Sequence, residues 1–409
     1  MRKILTLTFL SIALLLISCA EEEAVHETVV ETLEPETTIE ITLPPGGQIV
    51  YEIDDDVVFM GARIQRTTTR RIILFDKRAR RKVWQVLLKG TPVRALALQN
   101  GDLIVVTSDD RQPSHLLRLE RSTGKIVWER TFEQPAIDVA VLKEAVIVSD
   151  GVTLWQIDPA TGDFVTTWAQ HVGETQSPSS VYLETGTDGS YLYLASDRLL
   201  TAFAVRDHQV QEMWRFKSPK FIAELKAVRF SSGEEGVLVL SHSHAYFVDI
   251  NGKRRWHIEN SDINYGAVAF PTPTAATGIA FANYVKGIYV VLPDGTFMNA
   301  PLPGGNVRVL GIPLPIPKNV LLGGMTVRPV KGREHESYWL SVRSLDSLFL
   351  YQFTVPDELS LVAQASLAND KGSFIEKANM NPNYPPLWLD HSIALTTPKG
   401  LVLFRRKGS

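Results

Sequence analysis

Few side chains in this 409-residue sequence stand at spacings that could do chemistry. His242-Ser-His244 would put two imidazoles on one face of a strand, where side chains alternate with period two. As half of a zinc or copper site the pair lacks a third ligand at a recognisable spacing, and it reads as two polar residues on an exposed strand face. Asp54-Asp55-Asp56 and Asp109-Asp110 offer calcium-type oxygens without the glycine-spaced ligand series of a loop site, so turn solvation accounts for them. No two carboxylates stand out as an acid and base. Cys19 is the single cysteine, which leaves no disulfide and no thiolate cluster. The expectation is a protein with no catalytic residue, no metal and no cofactor.

The basic stretch from Arg63 to Lys89 is the strongest binding signal. It holds Arg63, Arg66, Arg70, Arg71, Lys77, Arg78, Arg80, Arg81, Lys82 and Lys89 in a chain of formal charge −3. Solvated hairpin turns would explain it. A patch that docks an acidic partner, anionic headgroups or the chain's own acidic N-terminal segment would explain it too. Arg78, Arg80 and Arg81 are the candidate contacts. Tyr384, set among the prolines of Asn381-Pro-Asn-Tyr-Pro-Pro386, is a second candidate contact.

Arg2 and Lys3 precede a mostly apolar run from Ile4 to Ile17, and Leu16-Ile17-Ser18-Cys19 follows. This resembles the cleavage box of a bacterial lipoprotein signal, with Cys19 the residue that receives lipid. The run is too short for a span of about 20 residues. The expected division is a signal peptide over 1–18, a lipidated cysteine and acidic tether over 19–38, and a folded domain over 39–409. Ala20 after the cysteine, where aspartate would resemble an inner-membrane retention signal, implies the outer membrane facing the periplasm. Glu21-Glu22-Glu23 resembles surface-export signals, the alternative address. Between Ala20 and Ala62 there are twelve acidic residues and no lysine or arginine. A tether of that kind reaches roughly 25 Å. Loss of Arg2 and Lys3 with the signal leaves the chain more acidic, which argues against nucleic acid as a partner.

Behind these residues lies a repeat. Trp84, Trp128, Trp168, Trp214 and Trp256 recur 44, 40, 46 and 42 residues apart, each ending a strand–turn–strand phrase. Short Val, Ile and Leu runs such as Leu103–Thr107, Val146–Ser149, Val237–Leu240 and Val320–Gly323 open the units and suit strands buried on both faces. Glycines in Thr123-Gly124, Thr161-Gly162, Asn251-Gly252 and Asp294-Gly295 supply the positive φ of a tight hairpin. Met298 takes the tryptophan's place in a sixth unit, and Leu348–Thr354 fits the middle of a seventh. The last unit, Ile393–Thr396 and Gly400–Phe404, lacks its outer strand. Gln48–Ile53 at the other end of the chain has the pattern to complete it. The expectation is an all-β, eight-bladed β-propeller closed by N- and C-terminal strands, with seven blades the alternative count. The five tryptophans are read as wedges docking neighbouring blades.

The phrase Asp158-Pro-Ala-Thr161-Gly162…Trp168 resembles the repeat of pyrroloquinoline-quinone-type propellers over most of residues 57–300. With the lipoprotein signal and the eight units, the chain is similar to BamB-type lipoproteins of the outer-membrane β-barrel assembly machinery. It departs from the repeat at Leu74, Arg118, Gln156 and Phe247, where the family usually has alanine. The turn from Asp76 to Lys82 also lacks the Thr-Gly. The resemblance implies a non-enzymatic scaffold for envelope proteins, held to the membrane through Cys19. A pyrroloquinoline-quinone-dependent oxidoreductase and an envelope carbohydrate-binding module are the alternatives.

Overall fold

The apolar runs bounded by turn residues become strands, and the strands group in fours apart from two short hairpins, Asn306–Val309 with Ile312–Pro317 and Ala368–Asn369 with Gly372–Ser373. The computed structural model describes residues 30–406 apart from 41–46, 54–55, 63–69, 110–111, 135–136, 143–144, 174–179, 207–208, 242, 260–263, 284–285, 301–305, 310–311, 318–321, 334–336, 345–346, 356, 367, 370–371, 374–385 and 398–399. Cys19, Tyr384 and His242 therefore lie outside the described residues, as does the expected signal peptide. Glu31–Ser409 forms one compact unit.

Blade 1 opens with Gly47–Ile53 and ends with Arg81–Leu87, and five further four-stranded antiparallel sheets follow, to Phe297–Ala300 of blade 6. Blade 7 spans Leu322–Pro329 to Glu358–Ser366. Blade 8 is built from Leu387–Leu389, Ser392–Thr397, Gly400–Arg406 and, as its outer strand, Glu31–Glu40. That last strand pairs antiparallel with Gly400–Arg406 in the register Leu33↔Arg406 to Glu40↔Gly400. The ring is an eight-bladed propeller closed by joining the two ends of the chain.

Two assignments are corrected. The closing strand is Glu31–Glu40, most of which the sequence placed in the tether, whereas Gly47–Ile53 is the innermost strand of blade 1. A strand of alternating Glu and Thr looks like solvated linker because seven of its ten residues are exposed; only Leu33 is fully buried. It is held by backbone pairing more than by its own apolar surface. Of the run Val320–Gly323, expected to open a unit, Val320 and Leu321 lie outside the described residues. Leu322 begins the innermost strand, and Ser337–Ser344 fills the second position.

Burial follows strand order. The second strand of blade 5, Glu235–Ser241, is buried throughout, while the outer strand of blade 4, Gln209–Lys217, is exposed at alternate and flanking positions. Eight hydrophobic clusters fill the eight blade junctions, the last joining Leu389 and Leu403 of blade 8 to Phe59 and Phe75 of blade 1. Packing at every junction covers the blade faces, and the inner and outer sheet edges that remain are short.

The tryptophans sit at these junctions. The Trp84 indole N–H donates to the Arg121 carbonyl at 2.6 Å, Trp128 to Pro159 at 2.9 Å and Trp214 to Ile250 at 2.6 Å, each in the turn of the following blade. The same turns present glycine to the ring: a Cβ on Gly124 would lie 2.7 Å from Trp84, and one on Gly162 2.6 Å from Trp128. Trp168 differs, donating within its own blade to Gln156 Oε1 at 3.0 Å. Trp256 lies against Gly295 but its indole nitrogen has no hydrogen-bond partner among the described residues. Met298 packs into the junction between blades 6 and 7.

The missing glycine in blade 1 follows from the same packing. Arg80 stands at the left-handed position of its turn, with φ of 51°, four residues after Asp76 as Gly162 stands four after Asp158. The preceding outer strand is Glu31–Glu40, which carries no tryptophan, so no indole demands a Cβ-free seat. Arg80 accepts a conformational cost of about 1–2 kcal/mol. Its turn is held by Asp76 Oδ1, which accepts from the Ala79 N–H at 2.8 Å.

Candidate functional site

The innermost strands present a free edge to the central channel, and their N–H groups need acceptors. Blades 3, 4 and 5 supply them from carboxylates. Asp138 accepts from Leu183 N at 2.7 Å, Glu184 from Ala227 N at 3.5 Å and Glu224 from Ala267 N at 3.0 Å, each on the next blade. Arg94 of blade 2 ion-pairs with Asp138, lies 3.7 Å from Glu184 and donates to the Leu183 carbonyl at 2.9 Å. Lys226 lies 3.5 Å from Glu224. Burial raises the pKa of Asp138 against the opposing pull of Arg94, and burial likewise raises that of Glu184 against Lys226 and Arg94. This girdle is an inter-blade fastening whose two cations are both engaged by its three carboxylates.

The channel widens into a cavity of about 840 Å³ bordered by Lys77 and Arg78 of blade 1, Arg328 of blade 7, and Trp388 and Asp390 of blade 8. Arg80 reaches across the junction to Asp390 at 2.9 Å, and Lys77 pairs with Glu52 at 2.9 Å. The Arg328 guanidinium lies 5.6 Å from the centroid of the Trp388 ring and donates to the Asp390 carbonyl. Lys77, Arg78, Lys226 and Arg328 line it against Glu52, Glu184 and Asp390, and exposed Arg80, Arg81 and Lys82 stand in the turn and strand beside it, so this mouth is positive in an acidic protein.

A second cavity, of about 410 Å³, opens beside the first and shares Arg328 and Trp388 with it. Leu33, Leu350, Ile393 and Phe404 give it an apolar floor, and Lys331, Arg405 and Arg406 join Arg328 around it. The Arg406 guanidinium lies 5.4 Å from the Trp339 ring centroid. Aromatic walls under guanidinium groups suit a ligand that is both apolar and anionic. Arg80 and Asp390 are 41% and 72% exposed, so their pair is worth under about 1 kcal/mol and exchanges readily for a partner's carboxylate.

Of the candidate contacts, Arg78 and Arg80 are brought to this mouth. Arg81 is exposed at the start of its strand beside them. Among the described residues the basic run is not one patch: Arg70, Arg71 and Lys89 lie at the far end of strands Arg71–Asp76 and Arg81–Leu87, and Lys89 pairs with Glu129 at 3.2 Å, while Arg63 and Arg66 lie outside the described residues. Sequence reasoning missed Arg328, Trp388, Asp390 and the girdle, because these are isolated residues that only ring closure assembles.

Residues 68–268 match the family described as Outer membrane protein assembly factor BamB. Among solved structures, BamB from Moraxella catarrhalis aligns with a TM-score of 0.51 at 11% identity, covering 92% of this chain and 99% of that one. The C-terminal WD40 domain of Sif2 aligns at 0.59 and 8% identity, covering 93% and 99%. The N-terminal part of BBS1, in complex with ARL6, aligns at 0.50 and 12%, covering 93% and 99%. No curated protein sequence matches the chain. Over residues 68–268 the chain is similar to BamB-type, pyrroloquinoline-quinone-like repeat proteins, and the whole has the propeller fold of these structures.

The repeat's name implies a quinone bearing several carboxylates. The girdle residues do not fit one: its cations, Arg94 and Lys226, are engaged by Asp138, Glu184 and Glu224. Those carboxylates are in turn committed to backbone N–H groups of the next blade.

Proposed function

We propose that this chain is a non-enzymatic, protein-binding scaffold of the cell envelope that assists outer-membrane protein assembly. It would be anchored through lipid on Cys19 and face the periplasm, with envelope proteins as partners. The observation that carries this reading is the positive, aromatic-walled mouth where blades 7, 8 and 1 meet. A rigid ring presents Arg78, Arg80, Arg328 and Trp388 there without needing to reorganise, so a partner's ordering cost is the main one to overcome. The similarity to outer-membrane assembly factors over residues 68–268 supports the class of partner.

Arg78 and Arg80 are the residues to perturb, because both are at the mouth and neither contributes to the core. Charge reversal of both to Glu, in the full-length lipoprotein, is expected to abolish the salt-sensitive share of co-purification with outer-membrane assembly proteins. The melting temperature should stay within about 1 °C of wild type, as for surface changes worth under about 0.5 kcal/mol. Unchanged co-purification at every salt concentration would overturn the assignment of the mouth.

A further inference from the structure

We propose that His244, His257 and Glu259 form a transition-metal site on blade 5. It is independent of the scaffold reading. The antiparallel register sets His244 opposite Glu259 and Tyr246 opposite His257, so the three ligands share one face of the two outer strands. His244 Nδ1 lies 2.9 Å from His257 Nε2, and one ligand atom from each of the three residues falls within 4.8 Å of the others.

Surroundings fix the imidazoles rather than leaving them to wander. The Tyr246 ring stacks on His257 at 4.8 Å and 12°, and on His244 at 5.5 Å and 23°. His244 is 9% exposed while His257 and Glu259 are exposed, so one ligand is anchored and the approach is open.

Two nitrogens about 2.0–2.1 Å from a tetrahedral ion stand about 3.3 Å apart. The imidazole pair must therefore open by only about 0.4 Å, and the exposed Glu259 side chain swings in to complete a set of two histidines and one carboxylate. That leaves the fourth position to water. Imidazole with carboxylate favours zinc, cobalt or nickel over magnesium or calcium. A bound ion would tie the outer strand Arg254–Glu259 to its neighbour His244–Asp249. The bland alternative is a plain imidazole–imidazole hydrogen bond, and it predicts no metal.

The test uses untagged protein, stripped with chelator and titrated with zinc chloride by calorimetry, with cobalt(II) spectra as a second readout. The expected result is one equivalent of zinc and visible cobalt bands typical of low coordination number. His257→Ala and Glu259→Gln should each weaken zinc binding at least about tenfold, while His171→Ala should not. Glu259→Gln keeps the test open should His257→Ala fail to fold. Absence of stoichiometric zinc binding by the wild type, or binding by both variants as tight as the wild type's, would overturn the proposal.

Discussion

Gly162→Ala separates the two reasons for a glycine under an indole. Its φ of 76° costs an alanine about 1–2 kcal/mol. The added methyl would also stand 2.6 Å from Trp128 Cδ2 and 2.8 Å from Cε3, in a junction where both neighbours are packed. Overpacking of that kind costs about 1–3 kcal/mol. The sum is about 2–5 kcal/mol. Gly233→Ala is the matched control: its φ is 84°, yet nothing lies within 4 Å of the new methyl, so only the conformational part remains. For the unit Glu31–Ser409, an unfolding entropy of about 2.1 cal/mol/K per residue makes each kcal/mol worth about 1.3 °C of melting temperature. Gly162→Ala should lower the melting temperature by about 3–6 °C and Gly233→Ala by about 1–3 °C. In a Trp128→Ala background the clash has no partner, and Gly162→Ala should fall to the cost of the control. Equal shifts for the two glycines in the wild-type background, or an undiminished penalty without the indole, would refute the seat.

Two further outcomes follow from named contacts. Trp84→Phe removes a hydrogen bond to the Arg121 carbonyl, whereas Trp256→Phe removes a nitrogen with no partner among the described residues, so urea unfolding should find the first about 1 kcal/mol more costly. Arg406 donates to Glu31 at 2.8 and 2.6 Å, and this bonding holds the Glu31 carboxyl below its usual 4.5. A lowered folded-state pKa gives stability that is present above the unfolded value and lost as pH falls through the folded one. The difference in melting temperature between wild type and Glu31→Gln should thus be largest near pH 6–7 and shrink as pH falls below 4.5; a gap that does not shrink in acid would contradict the pairing.

Repetition is what made the fold readable. An indole every 40–46 residues, with a glycine turn in the following unit for all but Trp168, encodes one junction over and over, and a junction is what each tryptophan occupies. The innermost strands were harder. They carry Arg94, Asp138, Glu184, Glu224 and Lys226 because they face a channel, so they lack the apolar run that marks the buried second strands. The closing strand was misplaced for a related reason: Glu31–Glu40 contributes backbone pairing and one buried leucine, neither of which alters composition. The mouth was half visible, since Arg78 and Arg80 stand in one basic run. Arg328, Trp388 and Asp390 lie more than 240 residues away in sequence and carry no local signal. The imidazole cluster shows the same limit, as His257 becomes the neighbour of His244 through strand register and not through spacing.

The claim that the mouth of the ring is where partners are held can be tested inside living cells. A photo-reactive residue placed at Arg78, at the blade 8–blade 1 junction, is compared with one at Thr166, exposed on the outer strand of blade 3. Crosslinks from position 78 to outer-membrane assembly proteins, with none of these from position 166, are the predicted result. Partners captured only from position 166, or equally from both, would contradict it.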